Sequence, residues 1–198
     1  GIPMLSSRIL CGLLLLSVSA SSLMAAATYP NRIWHYPSGA DPYYTIEAIT
    51  LTANTTWDVA ASPVVCEADV SVGAGVTLTV SAGATMQFVP LAGLYINGTL
   101  TASSATFAAT GAENWKGIYL APTAGASTLA NCTISTSGGL GYCYYGCRGL
   151  GGFHGADRYA ALYIDGCAAS VTGCTFTNTY GNAIEIWGAS PTITGNTI

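Results

Sequence analysis

A gapless repeat near the end of the chain limits what this sequence can fold into. Ala161-Leu162-Tyr163-Ile164-Asp165-Gly166-Cys167 aligns with Ala183-Ile184-Glu185-Ile186-Trp187-Gly188-Ala189. Val171-Thr172-Gly173-Cys174-Thr175-Phe176 aligns at the same offset with Ile193-Thr194-Gly195-Asn196-Thr197-Ile198. Leucine and isoleucine fall on isoleucine, and glycine falls on glycine. A fixed period of about 22 residues is the signature of a repeat architecture, in which each unit buries its apolar face against the next.

The units themselves are short alternating runs broken by glycine. Val70-Ser71-Val72, Val76-Thr77-Leu78-Thr79-Val80, Leu94-Tyr95-Ile96 and Thr99-Leu100-Thr101-Ala102 alternate apolar and polar as half-buried strands do. Ile118-Tyr119-Leu120 matches Leu162-Tyr163-Ile164, and Asn131-Cys132-Thr133-Ile134 matches Gly173-Cys174-Thr175-Phe176. No long helical stripe interrupts them, and the turns are too short for the crossovers of a βαβ sheet. A sandwich of hairpins would also be all-β, yet it does not predict one turn sequence recurring at one spacing. The expected fold is therefore all-β: a right-handed parallel β-helix of about 22 residues per rung, with rungs ~4.8 Å apart and equivalent side chains stacked. The array stops in mid-pattern at Ile198 with no capping element in sight, so the chain is expected to be C-terminally truncated.

Three segments follow. Residues 1–27 read as a signal peptide: a charged stretch from Met4 to Arg8, an apolar run from Ile9 to Val18, and Ala25-Ala26-Ala27 as the cleavage site. The apolar run is too short for a membrane span, which needs about 20 residues. Residues 28–60 lack a firm period and are the expected N-terminal cap, since an array needs an atypical first unit. Residues 61–198 carry the rungs. After cleavage four basic residues face nine acids, a net charge of −5, so no basic patch exists to attract nucleic acid. The expected location is secreted or cell-surface.

Ser62-Pro63-Val64-Val65, Asp69-Val70-Ser71-Val72, Gly75-Val76-Thr77-Leu78-Thr79-Val80, Gly83 and Phe88 resemble the opening rungs of secreted bacterial right-handed β-helix proteins. The segment Leu94 to Leu100, the Trp115-Lys116-Gly117-Ile118 step and the closing Ser190 to Ile198 extend the likeness over roughly residues 60–198. The resemblance implies the pectin-lyase-like fold. It specifies architecture and not chemistry, because that fold hosts lyases, hydrolases, adhesins and proteins without enzymatic activity.

The one break in the period is a candidate binding region. Ile134 and Phe176 stand nearly two periods apart, and the excess lies in Ser135 to Tyr159, where a solenoid insertion often forms the binding face. Tyr142, Tyr144 and Tyr145 would stack on sugar rings, while Arg148, Arg158, Asp157 and His154 would bind hydroxyls or carboxylates. The competing reading is a glycine-rich surface excursion pinned by a local Cys143–Cys147 disulfide. Cys132 and Cys174 occupy equivalent places in successive rungs, at a separation a disulfide accepts. A rung-to-rung bridge and a pair of stacked buried thiols are both open. Asn196 follows in the same column and is expected to bond up and down the stack.

Acids decide whether an enzyme is visible. Hydrolases need two or three carboxylates close together, and lyases of this fold, as the resemblance implies, hold calcium in clustered carboxylates. Glu67, Asp69 and Glu113 are scattered, and Asp165 and Glu185 are not at equivalent positions. No catalytic residue, metal ligand or cofactor is assigned; calcium belongs only to the lyase alternative. The outward column Tyr119, Tyr163, Glu185, near Lys116 and Trp187, is a possible carbohydrate platform. Thr77, Thr79, Thr99 and Thr101 form an outward ladder with the form of an ice-binding face, but β-branched residues favour strands anyway and the ladder is short. The expected function is a carbohydrate-binding, structural or adhesive module without catalysis, its partner a polysaccharide or cell-surface glycan. The alternative is the N-terminal part of a polysaccharide lyase or glycoside hydrolase.

Overall fold

The computed structural model describes residues 33–35, 43–45, 48–90, 92–139 and 160–198. A short antiparallel hairpin, β1 (Ile33–His35) with β2 (Tyr43–Thr45), comes first. Among the described residues, all later strands belong to three parallel sheets wound into a β-solenoid of about 23 residues per turn.

The first sheet runs β3 (Ala48–Leu51), β6 (Asp69–Val72), β9 (Gly93–Ile96), β12 (Gly117–Leu120), β15 (Ala160–Asp165) and β18 (Asn182–Trp187). The second runs β4 (Thr55–Trp57), β7 (Thr77–Val80), β10 (Thr99–Ser103), β13 (Thr128–Ala130), β16 (Ser170–Thr172) and β19 (Thr192–Thr194). The third runs β5 (Val64–Cys66), β8 (Thr85–Phe88), β11 (Thr106–Ala109), β14 (Thr133–Ser137) and β17 (Thr175–Thr179). The aligned blocks of the sequence are paired in this register: Leu162 with Ile184, Val171 with Ile193, and Ile134 with Phe176.

Two boundaries differ from expectation. Ala48 pairs with Asp69 and Thr56 with Thr79, so the solenoid takes up its first strands inside the stretch read as cap. The insertion is also narrower than Ser135–Tyr159, because Ser135 to Ser137 stay in β14 and pair with β17. Both follow from strand pairing, which is non-local and leaves little mark on a local pattern.

Alternation places one residue in two inside the coil. Val70, Leu94, Ile118 and Leu162 form one inward stack, and Val72, Ile96, Leu120 and Ile164 the next, all buried. Each such side chain contributes roughly 1.5–3 kcal/mol on burial. The third sheet supplies the bulk, with Phe88, Phe107 and Met86 fully enclosed. At the last rung Ile186, Ile193 and Ile198 continue the inward columns and are exposed.

After the first rung, where a 3-10 turn over Val59–Ala61 joins β4 to β5, the corner between the second and third sheets is made the same way five times. Gly83, Ser104, Asn131, Gly173 and Gly195 stand in one column, all with φ between 49° and 79°. The left-handed conformation turns the chain sharply, and glycine or asparagine bears it at least cost. The residue after each lies at the head of the next strand: Ala84, Ala105, Cys132, Cys174 and Asn196. At the opposite corner a β-carbon on Gly98 would run into the carbonyl oxygens of Gly73 and Val76 in the rung before. Gly98→Ala is therefore expected to lower stability by about 1–3 kcal/mol, the usual cost of forced overpacking, as read by chemical denaturation. A neutral result would mean the rungs are not held at this spacing.

Candidate functional site: the outer face of the first sheet

The outward positions of the first sheet form the column Ser71, Tyr95, Tyr119, Tyr163 and Glu185. Parallel register stacks the rings. Tyr95 and Tyr119 are tilted at 57° with centroids 6.1 Å apart, and Tyr119 and Tyr163 lie nearly parallel at 5.8 Å. Ala121 and Ala160 pack against them in a small apolar cluster outside the main core. Tyr119 and Tyr163 are consequently only 9% and 2% exposed. The column expected as an open sugar platform is thus present in register but closed in its middle, because neighbouring rings cover one another's faces.

Its N-terminal end is a polar cluster assembled from three rungs. Lys116 Nζ lies 3.4 Å from Asp69 Oδ2 and 2.7 Å from the Tyr95 hydroxyl, to which it donates. The ammonium also sits over the Tyr95 ring, 5.1 Å from its centroid. The side chains of Lys116 and Asp69 are only 14% and 19% exposed. Two backbone hydrogen bonds set the geometry: Lys116 N–H donates to Ala92 O at 2.8 Å, and Gly93 N–H donates to Asp69 Oδ1 at 2.8 Å. Gly93 lies between them. A β-carbon there would come within 3.1 Å of Lys116 Cδ and of the Tyr95 ring, so its absence lets the lysine stem cross to the aspartate.

Burial pushes the Asp69 carboxyl up, against the opposing pull of Lys116 and of the Gly93 amide. Burial also pulls Lys116 down, but Asp69 and Tyr95 outweigh it and the net shift is upward. An amine held this way stays protonated at neutral pH and is a poor proton acceptor. Tyr95 is raised chiefly by burial, as is Tyr119, whose hydroxyl also donates to Asp165 Oδ2 at 2.7 Å.

The C-terminal end is open. Trp187, paired with Asp165 in the neighbouring strand, is 57% exposed. Glu185 lies two residues before it on the same face and accepts from Asn182 Nδ2 at 3.3 Å. Tyr180, in the turn leading into β18, is also exposed. This end of the face therefore combines one broad aromatic surface with two carboxylates, Asp165 and Glu185. Among the described residues no three His, Cys, Asp or Glu side chains converge as a metal site would require, so they offer calcium no cluster.

The loop residues Tyr142, Tyr144, Tyr145, Arg148, His154, Asp157 and Arg158, and the Cys143–Cys147 pair, lie outside the described residues, as does the signal peptide. Cys132 and Cys174 do stack in successive rungs, and the structure holds them as free buried thiols, as it does Cys66 and Cys167. Of the two readings left open, the stacked thiols are the one realised. Cys132 N–H donates to Cys174 Sγ at 3.4 Å, and Cys174 N–H donates to Asn196 Oδ1 at 2.8 Å. Asn196 Nδ2 in turn donates to Val171 O at 3.0 Å, so the amide links rungs in the structural role expected of it. A hydrogen bond between the thiols lowers the pKa of Cys174 and raises that of Cys132.

The Asp69–Lys116–Tyr95 cluster was missed in the sequence because its members are 47 and 21 residues apart, neither of them the repeat length. The available signal was Asp69-Val70, Gly93-Leu94 and Gly117-Ile118, three strand starts each 24 residues apart. Fold and site together define the class: a parallel β-helix with an aromatic and acidic outer face. Comparison with protein-family models, curated proteins and solved structures returned no match. Among the described residues no helix is long and apolar enough to cross a membrane.

Proposed function

We propose that this chain is a secreted or cell-surface β-helix module that binds a polysaccharide or cell-surface glycan without acting on it. The observation that carries the reading is Trp187, a broadly exposed indole set on a rigid strand beside Asp165 and Glu185. Such a surface stacks on the apolar face of a pyranose while the carboxylates accept hydrogen bonds from its hydroxyls. Rigid aromatic anchors of this kind lose little entropy on binding. The loop expected to contact sugar leads directly into β15, the strand that carries Tyr163 and Asp165.

The binding-only reading is favoured over the lyase or hydrolase alternative by how the polar groups are used. Asp69 and Lys116 are engaged with each other, and Asp165 accepts from Tyr119. Glycan-array screening followed by calorimetry on the best polysaccharide tests the proposal. Trp187→Ala is expected to weaken binding at least tenfold with unfolding unchanged, since the side chain is exposed. Full affinity in that variant, or depolymerisation of the bound glycan, would discard the reading.

A further inference from the structure

The outer face of the second sheet carries an array that the glycan reading does not use. Thr56, Thr79, Thr101, Thr128, Ser170 and Thr192 stand opposite one another through all six strands. Beside them runs a second column, Ser103, Ala130, Thr172 and Thr194. The threonine ladder seen in the sequence over two rungs is thus six rungs deep. Every member of the longer column is exposed or half-exposed, and pairing is residue for residue with no bulge.

Three properties follow from chemistry and register. Hydroxyls repeat about every 4.8 Å along the solenoid in the longer column, and three of the last four rungs, Ala130 being the exception, add a second hydroxyl about 6.6 Å along the strand, because neighbouring strands and alternate residues are so spaced. The six-membered column spans five such intervals, about 24 Å. Neither column contains a charged or aromatic side chain, in a chain of which only 7% is charged. Among the described residues, none of these hydroxyls hydrogen-bonds another protein group.

We infer that this face binds ice. Hexagonal ice presents oxygen rows at close to the rung spacing on its prism faces. A hydroxyl in each row continues the lattice's hydrogen bonding, and the adjacent methyl occupies space that liquid water would otherwise fill. Lack of charge is the complementary requirement, since the ice lattice rejects ions. A sugar polymer is the weaker fit, because this face lacks the aromatic surface that stacks on pyranose rings. The inference concerns a different sheet from Trp187 and does not depend on the glycan reading.

The test is nanolitre osmometry on the full chain at millimolar concentration, with crystal shape recorded. Faceted crystals and a gap between melting and freezing are expected. Thr128→Tyr and Thr192→Lys, which obstruct the array at exposed positions, should each shrink the gap at least tenfold. Thr177→Tyr, exposed on the third sheet, should leave it unchanged. Circular dichroism establishes that each variant is folded; two array variants guard against one that is not. Smooth disc-shaped crystals without a gap from the folded parent chain overturn the inference. So does an undiminished gap in a folded array variant, or adsorption to crystalline cellulose or chitin with none to ice.

Discussion

Trp115→Ala is expected to destabilise the solenoid by about 3–5 kcal/mol, the range for truncating a buried tryptophan. Trp115 is fully buried and lies at the corner between β11 and β12, where a single indole joins three rungs. Its ring stacks on Phe88 of the preceding rung at 4.2 Å and 8°. Its Nε1–H donates to the carbonyl of Ser135 at 2.9 Å, and its backbone N–H donates to Thr136 O at 3.1 Å. Removing the ring leaves a cavity that the stacked strands are poorly able to close, because each is pinned by ladder bonds on both sides. Trp115→Phe is the milder change: it keeps an aromatic face on Phe88 and loses the bond to Ser135 with part of the ring volume, and leaving that carbonyl unpaired alone costs about 1–3 kcal/mol. Guanidinium unfolding reads both. A loss under about 1 kcal/mol for the alanine variant, below any buried-tryptophan truncation, would show that the indole is not sealed between the rungs.

Lys116→Met is the second large effect, about 2–4 kcal/mol at neutral pH. That lies somewhat below the ~3–5 kcal/mol for breaking a fully enclosed pair, because both side chains keep some exposure. The methionine fills the path of the lysine stem and leaves Asp69 without its counter-charge. Burial already raises the Asp69 carboxyl, and without Lys116 it rises further. A carboxyl whose folded pKa exceeds its unfolded value contributes fully below the unfolded value and loses that contribution as pH rises through the folded one. The variant's deficit is therefore largest at neutral pH and shrinks in acid, toward the ordinary carboxyl value of 3.8. Unfolding curves at pH 7 and pH 4.5 check the sign. Asp69→Asn combined with Lys116→Met should recover most of the loss, since it removes the uncompensated charge and keeps an acceptor for the Gly93 amide. A deficit independent of pH would assign the effect to packing of the lysine stem.

How far the sequence reached is clearest in two outward ladders. Tyr163 over Glu185 could be read at once, because no insertion falls between β15 and β18 and the two stand one plain repeat apart. The hydroxyl ladder is legible in the sequence at Thr77, Thr79, Thr99 and Thr101 and no further. The step from Thr101 to its partner Thr128 is longer than the repeat, and the step from Thr128 to Ser170 is nearly twice as long. Corners change length from rung to rung while strand register does not, so counting along the chain slips at each irregular corner. The same slippage hid Asp69 from Lys116.

Alternation of apolar and polar residues, glycine at recurring corners and a fixed period determined the β-helix from the sequence alone. Those signals are local or periodic, and a solenoid repeats local geometry. Only the tertiary structure decided which side chains from different rungs meet. It paired Asp69 with Lys116 across Gly93, closed the tyrosine column ring upon ring, held Cys132 and Cys174 as thiols, and aligned six rungs of hydroxyls on one face. Each depends on corner length and side-chain reach, and neither is periodic in the sequence.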